Sequence, residues 1–217
     1  MMDEEHYLVI IGAGGFGLEV AAYAEDIIRL RGIDFRISGF LDDTKPRGTV
    51  HGGYPVLGNT EEELDPQALY VIALGWPAHR RMLTEKLRGR GAKFATFMHP
   101  AAYIATTATI GVGSIIAPFA FVGPQAVLGA QVVVNVGAVV GHEAQVGDCG
   151  VLAPHADVHG AAVLDANVFI GSGATVTNGK RVGMGSKVSA GAVVFQDIPA
   201  GVTALGNPAK ARADNAG

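Results

Sequence analysis

An aliphatic residue recurs at every sixth position from Ile104 to Val194 without interruption, sixteen times in all. Ile104, Ile110, Ile116, Val122, Leu128 and Val134 open the series, and Val176, Val182, Val188 and Val194 close it. The residue two before each aliphatic is usually small, as at Ala120, Ala138, Ala144 and Ala156. The residue after it is often glycine, as at Gly111, Gly123, Gly141 and Gly147. This is a hexapeptide repeat. Each hexad predicts one short strand, with the aliphatic and the small residue turned inward, and one corner at the glycine-rich pair. Three hexads close a triangular coil of about eighteen residues, and coils stacked at the ~4.8 Å strand spacing make a prism of about five coils, roughly 25 Å tall. The expected fold of residues 100–200 is therefore a parallel β-helix.

Before the repeat the pattern changes. Tyr7 to Ile11 reads as a buried strand, followed by the loop Gly12-Ala13-Gly14-Gly15-Phe16-Gly17 and an amphipathic helix from about Leu18 to Leu30, closed by Gly32. Phe35 to Leu41 is a strand ending in Asp42-Asp43, Leu69 to Leu74 another, Pro77 to Arg90 a helix, and Phe94 to Met98 a fourth strand. This alternation predicts an α/β unit over residues 1–99, a small Rossmann-like parallel sheet. His99-Pro100 marks the junction, and residues 201–217 read as a small, polar tail that frays.

Composition narrows the function classes. The 217 residues are 49% hydrophobic, enough for packed cores without staples. Glycine, at 31 residues, stands at about twice its usual share, as corners require. A formal charge of −4 and the absence of any Lys/Arg run argue against nucleic acid as a partner. Cys149 is the single cysteine, so no intrachain disulfide forms, and the apolar stretch Tyr7 to Ile11 is too short for a signal peptide or membrane span. The expected address is the cytoplasm.

Two residues stand where chemistry is available. The two positions after the corner glycine point away from the core, and His142 and Glu143 occupy them. Eighteen residues beyond His142, one coil above, lies Gly160, which has no side chain to block approach. A neutral imidazole suits deprotonation of an amine or hydroxyl, and an exposed Gly160 N–H could hold a thioester oxygen as it gains charge. His142 can equally be a solvated corner residue, and Gly160 an ordinary corner glycine. The loop from Gly12 to Gly17 fits G-x-G-x-x-G between a strand and a helix, which suggests a bound nucleotide or simply a tight turn. Asp42 and Asp43 suit a ribose or base, or merely end a strand. A zinc hydratase would need three converging imidazoles, but His142, His155 and His159 fall on different hexad positions. Lys180 occupies a normally inward, small position beside Arg181, which predicts a bulge in that coil.

The chain resembles the sialic acid O-acetyltransferase and nucleotide-4-aminosugar N-acetyltransferase family of hexapeptide-repeat acyltransferases. The likeness rests on Ile10 to Gly17, Gly39-Phe40-Leu41-Asp42-Asp43, Gly141-His142-Glu143 and Gly206-Asn207-Pro208-Ala209-Lys210, in that order. It implies a left-handed β-helix, a homotrimer with clefts between neighbouring prisms, acetyl-CoA as co-substrate and no metal. It assigns His142 as base, Glu143 as its orienting acid and the Gly160 backbone to the acetyl carbonyl. Asn178, Gly179, Lys180 and Lys210 are expected to hold coenzyme A, the lysines through its phosphates. Gly12, Gly14, Gly15, Phe16, Asp42, Asp43 and Asn135 are expected to bind the sugar or nucleotide sugar. The implied reaction is acetylation of the amine of a nucleotide-linked 4-amino-4,6-dideoxysugar. Sugar O-acetylation and a non-catalytic trimeric scaffold are the alternatives. Two departures bear on the acceptor: Val151 stands where some members carry a second His, and Phe16 and Leu18 stand where the glycine loop often carries His and Lys.

Overall fold

The computed structural model describes residues 6–32 and 35–213. Residues 1–5 and 214–217, at the outer ends of the expected first domain and tail, lie outside the described residues. The N-terminal unit consists of β1 (His6–Ile11), α1 (Gly15–Arg31), β2 (Phe35–Leu41), β3 (Val50–His51), β4 (Tyr54–Gly58), β5 (Ala68–Ile72), α2 (Pro77–Gly89) and β6 (Lys93–Phe94). Its sheet runs β3-β4-β2-β1-β5-β6, parallel except for the β3–β4 hairpin, which the hydrophobic pattern did not reveal. Central β1 is buried on both faces, as covered parallel strands are. Leu8 and Ile10 pack with Val20, Ala21 and Ala24 of α1, while Val9 and Ile11 pack with Leu83 and Leu87 of α2.

The loop after β1 is held by sterics and by one carboxylate. Gly12 has φ +102°, and a Cβ on Gly17 would stand 2.1 Å from the Gly12 carbonyl oxygen, so both positions demand glycine. Asp42, at the end of β2, accepts from the Ala13 N–H at 2.7 Å, the Thr44 N–H at 2.8 Å, the Thr44 hydroxyl at 2.6 Å and the Lys45 N–H at 3.0 Å. Burial pushes its pKa up, but these bonds outweigh burial and hold the carboxyl below its ordinary value of 3.8. Asp43 in turn accepts from the Thr60 N–H and hydroxyl at 2.7 and 3.0 Å.

The rest of the chain is the parallel β-helix. Every hexad from Tyr103–Ile104 to Val193–Val194 forms a two-residue strand, and strands eighteen residues apart pair in parallel, as Val140 does with Val158. The prism is longer than the expected five coils: its second face carries six strands. Phe97–Met98 pairs with Ile115–Ile116 on the first face, so the strand expected over Phe94 to Met98 is divided between sheet and prism. At the other end Val202–Leu205 continues the first face and pairs antiparallel with Lys210–Ala213, so this part of the expected fraying tail is an ordered cap. Inward residues such as Val122, Val140, Val158 and Val176 are fully buried in one column. Outward residues of the first face, Phe97, Ile115, Val133 and Val151, pack in the same apolar cluster as Leu8, Ile10 and α1, which seats the N-terminal unit on that face.

The corners work differently from the expectation. The left-handed residue is the third after the aliphatic, as at Gly137 (φ 64°) and Glu143 (φ 59°), not the glycine directly after it. That first glycine instead allows close stacking: a Cβ on Gly141 would stand 2.6 Å from the Gly160 nitrogen. The bulge expected at Lys180 is absent. Val163 pairs with Arg181 and Leu164 with Val182 in unbroken register, and the Val163 N–H donates to the Lys180 carbonyl at 2.9 Å. The half-buried Lys180 stem is accommodated in an ordinary corner.

Two stability outcomes follow from this packing. Leu128→Ala, at an inward position, is expected to cost ~2–5 kcal/mol in urea unfolding, whereas Gln145→Ala, outward on the same face, should stay within about 0.5 kcal/mol of wild type. Equal effects would mean the inward column is not the core. Because the folded-state pKa of Asp42 is depressed, its contribution is present above 3.8 and is lost as pH falls through the folded value. The stability gap between wild type and Asp42→Asn should therefore be full near about pH 7 and shrink towards about pH 3. A gap that does not change with pH would contradict the role given to this carboxylate.

Candidate active site

His142 and Glu143 lie on the corner between the second and third faces of the prism, after Val139–Val140 and before Gln145–Val146. Both side chains are 59% exposed. The left-handed backbone at Glu143 turns its carboxylate back, and Oε2 sits 2.9 Å from His142 Nδ1. A carboxylate only accepts, so Nδ1 carries a proton, and in the neutral ring Nε2 keeps its lone pair. That nitrogen lies against Gly160: a Cβ there would stand 2.4 Å from Nε2 and 2.5 Å from Cε1. The imidazole occupies the volume that a side chain at 160 would fill.

Among the described residues no acceptor stands against the Gly160 N–H. The amide at this hexad position suits an anionic oxygen, because at the equivalent Ala130 the N–H donates to the Asp148 carboxylate at 2.7 Å. One coil higher on the same corner stand Asn178, Gly179 and Lys180. His159, just before Gly160, links them to the second face: its Nδ1 is 3.2 Å from Asn178 Oδ1 and its Nε2 3.2 Å from Asp157 Oδ2.

Other expected residues fall elsewhere. Asn135 is on the corner between the first and second faces, with its Oδ1 accepting from the Val136 N–H at 2.7 Å, so one chain does not bring it to His142. His155 shares that other corner, and among the described residues no group of three His, Cys, Asp or Glu side chains is placed to hold a metal. Lys210 lies in the antiparallel cap, away from the His142 corner. Arg181 forms a double contact with Asp165, at 2.6 and 3.3 Å, which occupies its charge.

A second concavity, about 580 Å³, opens at the carboxyl ends of β1, β2 and β5, where parallel α/β sheets bind ligands. Gly12, Gly14, Gly15, Phe16, Asp42 and Asp43 all line it. The glycines divide by role. Gly12 is required by the turn, but a Cβ on Gly14 or Gly15 would meet nothing within 4 Å, so their open surface belongs to the cleft. The N-terminus of α1 lacks a side-chain cap, which leaves first-turn N–H groups for an anion. Asp42 and Asp43 are already engaged with Ala13, Thr44, Lys45 and Thr60, so they chiefly shape this wall. Among the described residues no lysine or arginine lines the cleft, while His79, which the sequence pattern did not single out, does. The available signal was its place in the first turn of a helix that follows a strand, beside Pro77 at a helix start.

The floor between this cleft and the prism is held by Arg80. It is fully buried, and burial lowers its pKa from 12.5 to about 10. Its guanidinium donates to the carbonyls of Ile72, Leu74 (3.1 Å) and Gln131 (3.0 Å), the last from the prism. A charge that sequence alone gives no reason to bury thus ties the cleft to the β-helix. No described helix is long and apolar enough to cross a membrane.

Comparison with known proteins agrees with this architecture. Residues 7–87 match the family model described as the PglD N-terminal domain. A UDP-N-acetylbacillosamine N-acetyltransferase of Bacillus subtilis (strain 168) is 34% identical over 115 residues, so the match spans half of each protein. A GDP-perosamine N-acetyltransferase of Escherichia coli O157:H7 is 31% identical over 209 residues, 93% of this chain and 94% of that protein. The acetyltransferase domain of PglB from Neisseria gonorrhoeae FA1090, solved in complex with acetyl coenzyme A, superposes with a TM-score of 0.87 at 36% identity, covering 95% of this chain and 98% of that one. The sheet domain, the β-helix and 31–36% identity over nearly the full length together make this chain a member of the nucleotide-aminosugar N-acetyltransferase family of hexapeptide-repeat acyltransferases.

Proposed function

We propose that the chain transfers an acetyl group from acetyl-CoA to the amine of a nucleotide-linked 4-amino-4,6-dideoxysugar, with His142 as general base. The observation that carries this reading is the His142 imidazole, oriented by Glu143, with Nε2 against a glycine whose N–H has no acceptor among the described residues. Nε2 takes a proton from the sugar amine as its nitrogen attacks the thioester carbonyl. The carbonyl oxygen gains charge where the Gly160 N–H can stabilise it, and the tetrahedral centre collapses with loss of the C–S bond. The imidazolium then returns the proton to the departing thiolate, so no acyl-enzyme is needed.

The corner column supports the placement of the co-substrate. Gly160 stands one coil above His142 and Asn178, Gly179 and Lys180 share the next, a track for the pantetheine arm ending near one cation. The N-terminal domain, residues 1–99, holds the nucleotide sugar through Gly12, Gly14, Gly15 and Phe16, with Asp42 and Asp43 shaping the wall. The β-helix domain, residues 100–200, carries the chemistry, and Lys210 and Asn135 reach the site only across an interface. That interface is a homotrimer of prisms. The second face supports it with Tyr103 stacked on Phe121 at 5.0 Å, and the corner beside it with Phe119 at 73% exposure, an apolar patch that association would cover. The relatives named above act on UDP- and GDP-linked aminosugars, which motivates the acceptor class.

The test is incubation with acetyl-CoA and UDP-, GDP- and dTDP-linked 4-amino-4,6-dideoxyhexoses, reading release of free thiol. One or more should be acetylated, and His142→Ala should lower turnover by ~10²–10⁴ without unfolding the protein. Turnover within a few-fold of wild type would remove His142 from the role of base.

A further inference from the structure

The His142 corner carries a second imidazole that the proposed transfer does not use. His159 precedes Gly160, and its backbone N–H donates to the Val176 carbonyl at 2.9 Å. Its ring lies between two acceptors: Nε2 is 3.2 Å from Asp157 Oδ2, and Nδ1 is 3.2 Å from Asn178 Oδ1. Neither a carboxylate nor an amide oxygen donates, so the ring that fits this geometry carries a proton on both nitrogens and is an imidazolium. Asp157 supplies the compensating charge.

That charge acts on Asn178. The backbone there is held on both sides, by the Thr177 N–H on the Val194 carbonyl at 3.1 Å and the Gly179 N–H on the Gly160 carbonyl at 3.0 Å. Asn178 is exposed and stands eighteen residues after Gly160, in the same column as His142. With Oδ1 bound to the imidazolium, Nδ2 is left over, and among the described residues no acceptor stands against it. Loss of the proton from Nδ1 would set its lone pair against those of Oδ1, and the amide would turn over to offer its oxygen instead. The charge of His159 thus selects whether the column presents a donor or an acceptor at this height.

We propose that His159 is a positioning residue for acetyl-CoA: its imidazolium, held by Asp157, turns Asn178 so that Nδ2 donates to an amide carbonyl of the pantetheine arm. This rests on the co-substrate placement proposed above. It sets the two histidines of one corner in opposition, because His142 acts as base only when neutral and His159 positions Asn178 only when charged. The other ionisable groups around the ring are the His142–Glu143 pair one coil below and Lys180 one coil above, while the ladder partners of Asp157, Val139 and Thr175, are uncharged.

Calorimetric titration with coenzyme A and acetyl-CoA at about pH 6 and about pH 8.5, either side of the range in which imidazoles titrate, tests this in wild type, His159→Ala, Asn178→Ala and the double variant. His142 and the phosphate of the coenzyme titrate in the same range, so the quantity read is the difference between proteins at each pH. Wild type should bind about tenfold more tightly than His159→Ala near pH 6, and the advantage should shrink to within about twofold near pH 8.5. In the Asn178→Ala background, replacing His159 should change affinity by less than about twofold at either pH. An advantage that does not vary with pH, or one that persists in full without Asn178, would overturn this inference alone, provided that thiol release from acetyl-CoA still depends on His142. If neither coenzyme binds and no thiol is released, the proposed function falls and this inference with it.

Discussion

Stacking of eighteen-residue coils at strand spacing governs this molecule. Each coil pairs along its whole length with the next, so a corner residue has its neighbour fixed by number rather than by local sequence. At that spacing little room remains at the corners. A Cβ on Gly141 would meet the Gly160 nitrogen, and one on Gly160 would meet the His142 ring. The same packing that buries Val140 and Val158 thus leaves room at Gly160 for the His142 imidazole, which Glu143 holds at 2.9 Å.

The N-terminal domain depends on the prism in a complementary way. Its sheet is seated on the first face by Phe97, Ile115, Val133 and Val151, and the loop following β5 is tied down by the buried Arg80 through carbonyls on both sides of the junction. Burying a guanidinium without a carboxylate partner is costly unless its donors are satisfied. The carbonyls of Ile72, Leu74 and Gln131 meet that need and set the glycine-loop cleft in a fixed relation to the coils. The proposed transfer requires two ligands to be aligned, and Arg80 fixes the cleft relative to the coils.

Much of the architecture was legible because it is periodic. The six-residue spacing located every strand from Tyr103 to Val194, and the juxtaposition of His142 with Gly160 followed from counting one coil. What escaped was aperiodic. The hairpin Val50–His51 with Tyr54–Gly58 is too short to show a pattern, and the cap Lys210–Ala213 forms only because the last coil offers an open edge. The corner glycines misled, since left-handed geometry is carried by residues such as Glu143 and His155 that composition gives no reason to suspect. Asp42 and Asp43 read either as ribose or base ligands or as the end of a strand, and spacing gave no sign of the long-range partners Ala13 and Thr60 that engage them.

The central claim is that the proposed role of His142 depends on the space left by the missing side chain of Gly160. Steady-state kinetics of Gly160→Ala, measured beside its thermal unfolding, test it most directly. A methyl group 2.4 Å from Nε2 must displace the ring, so turnover should fall by roughly 10²-fold with the protein still folded. Wild-type turnover in a folded Gly160→Ala protein would contradict the account.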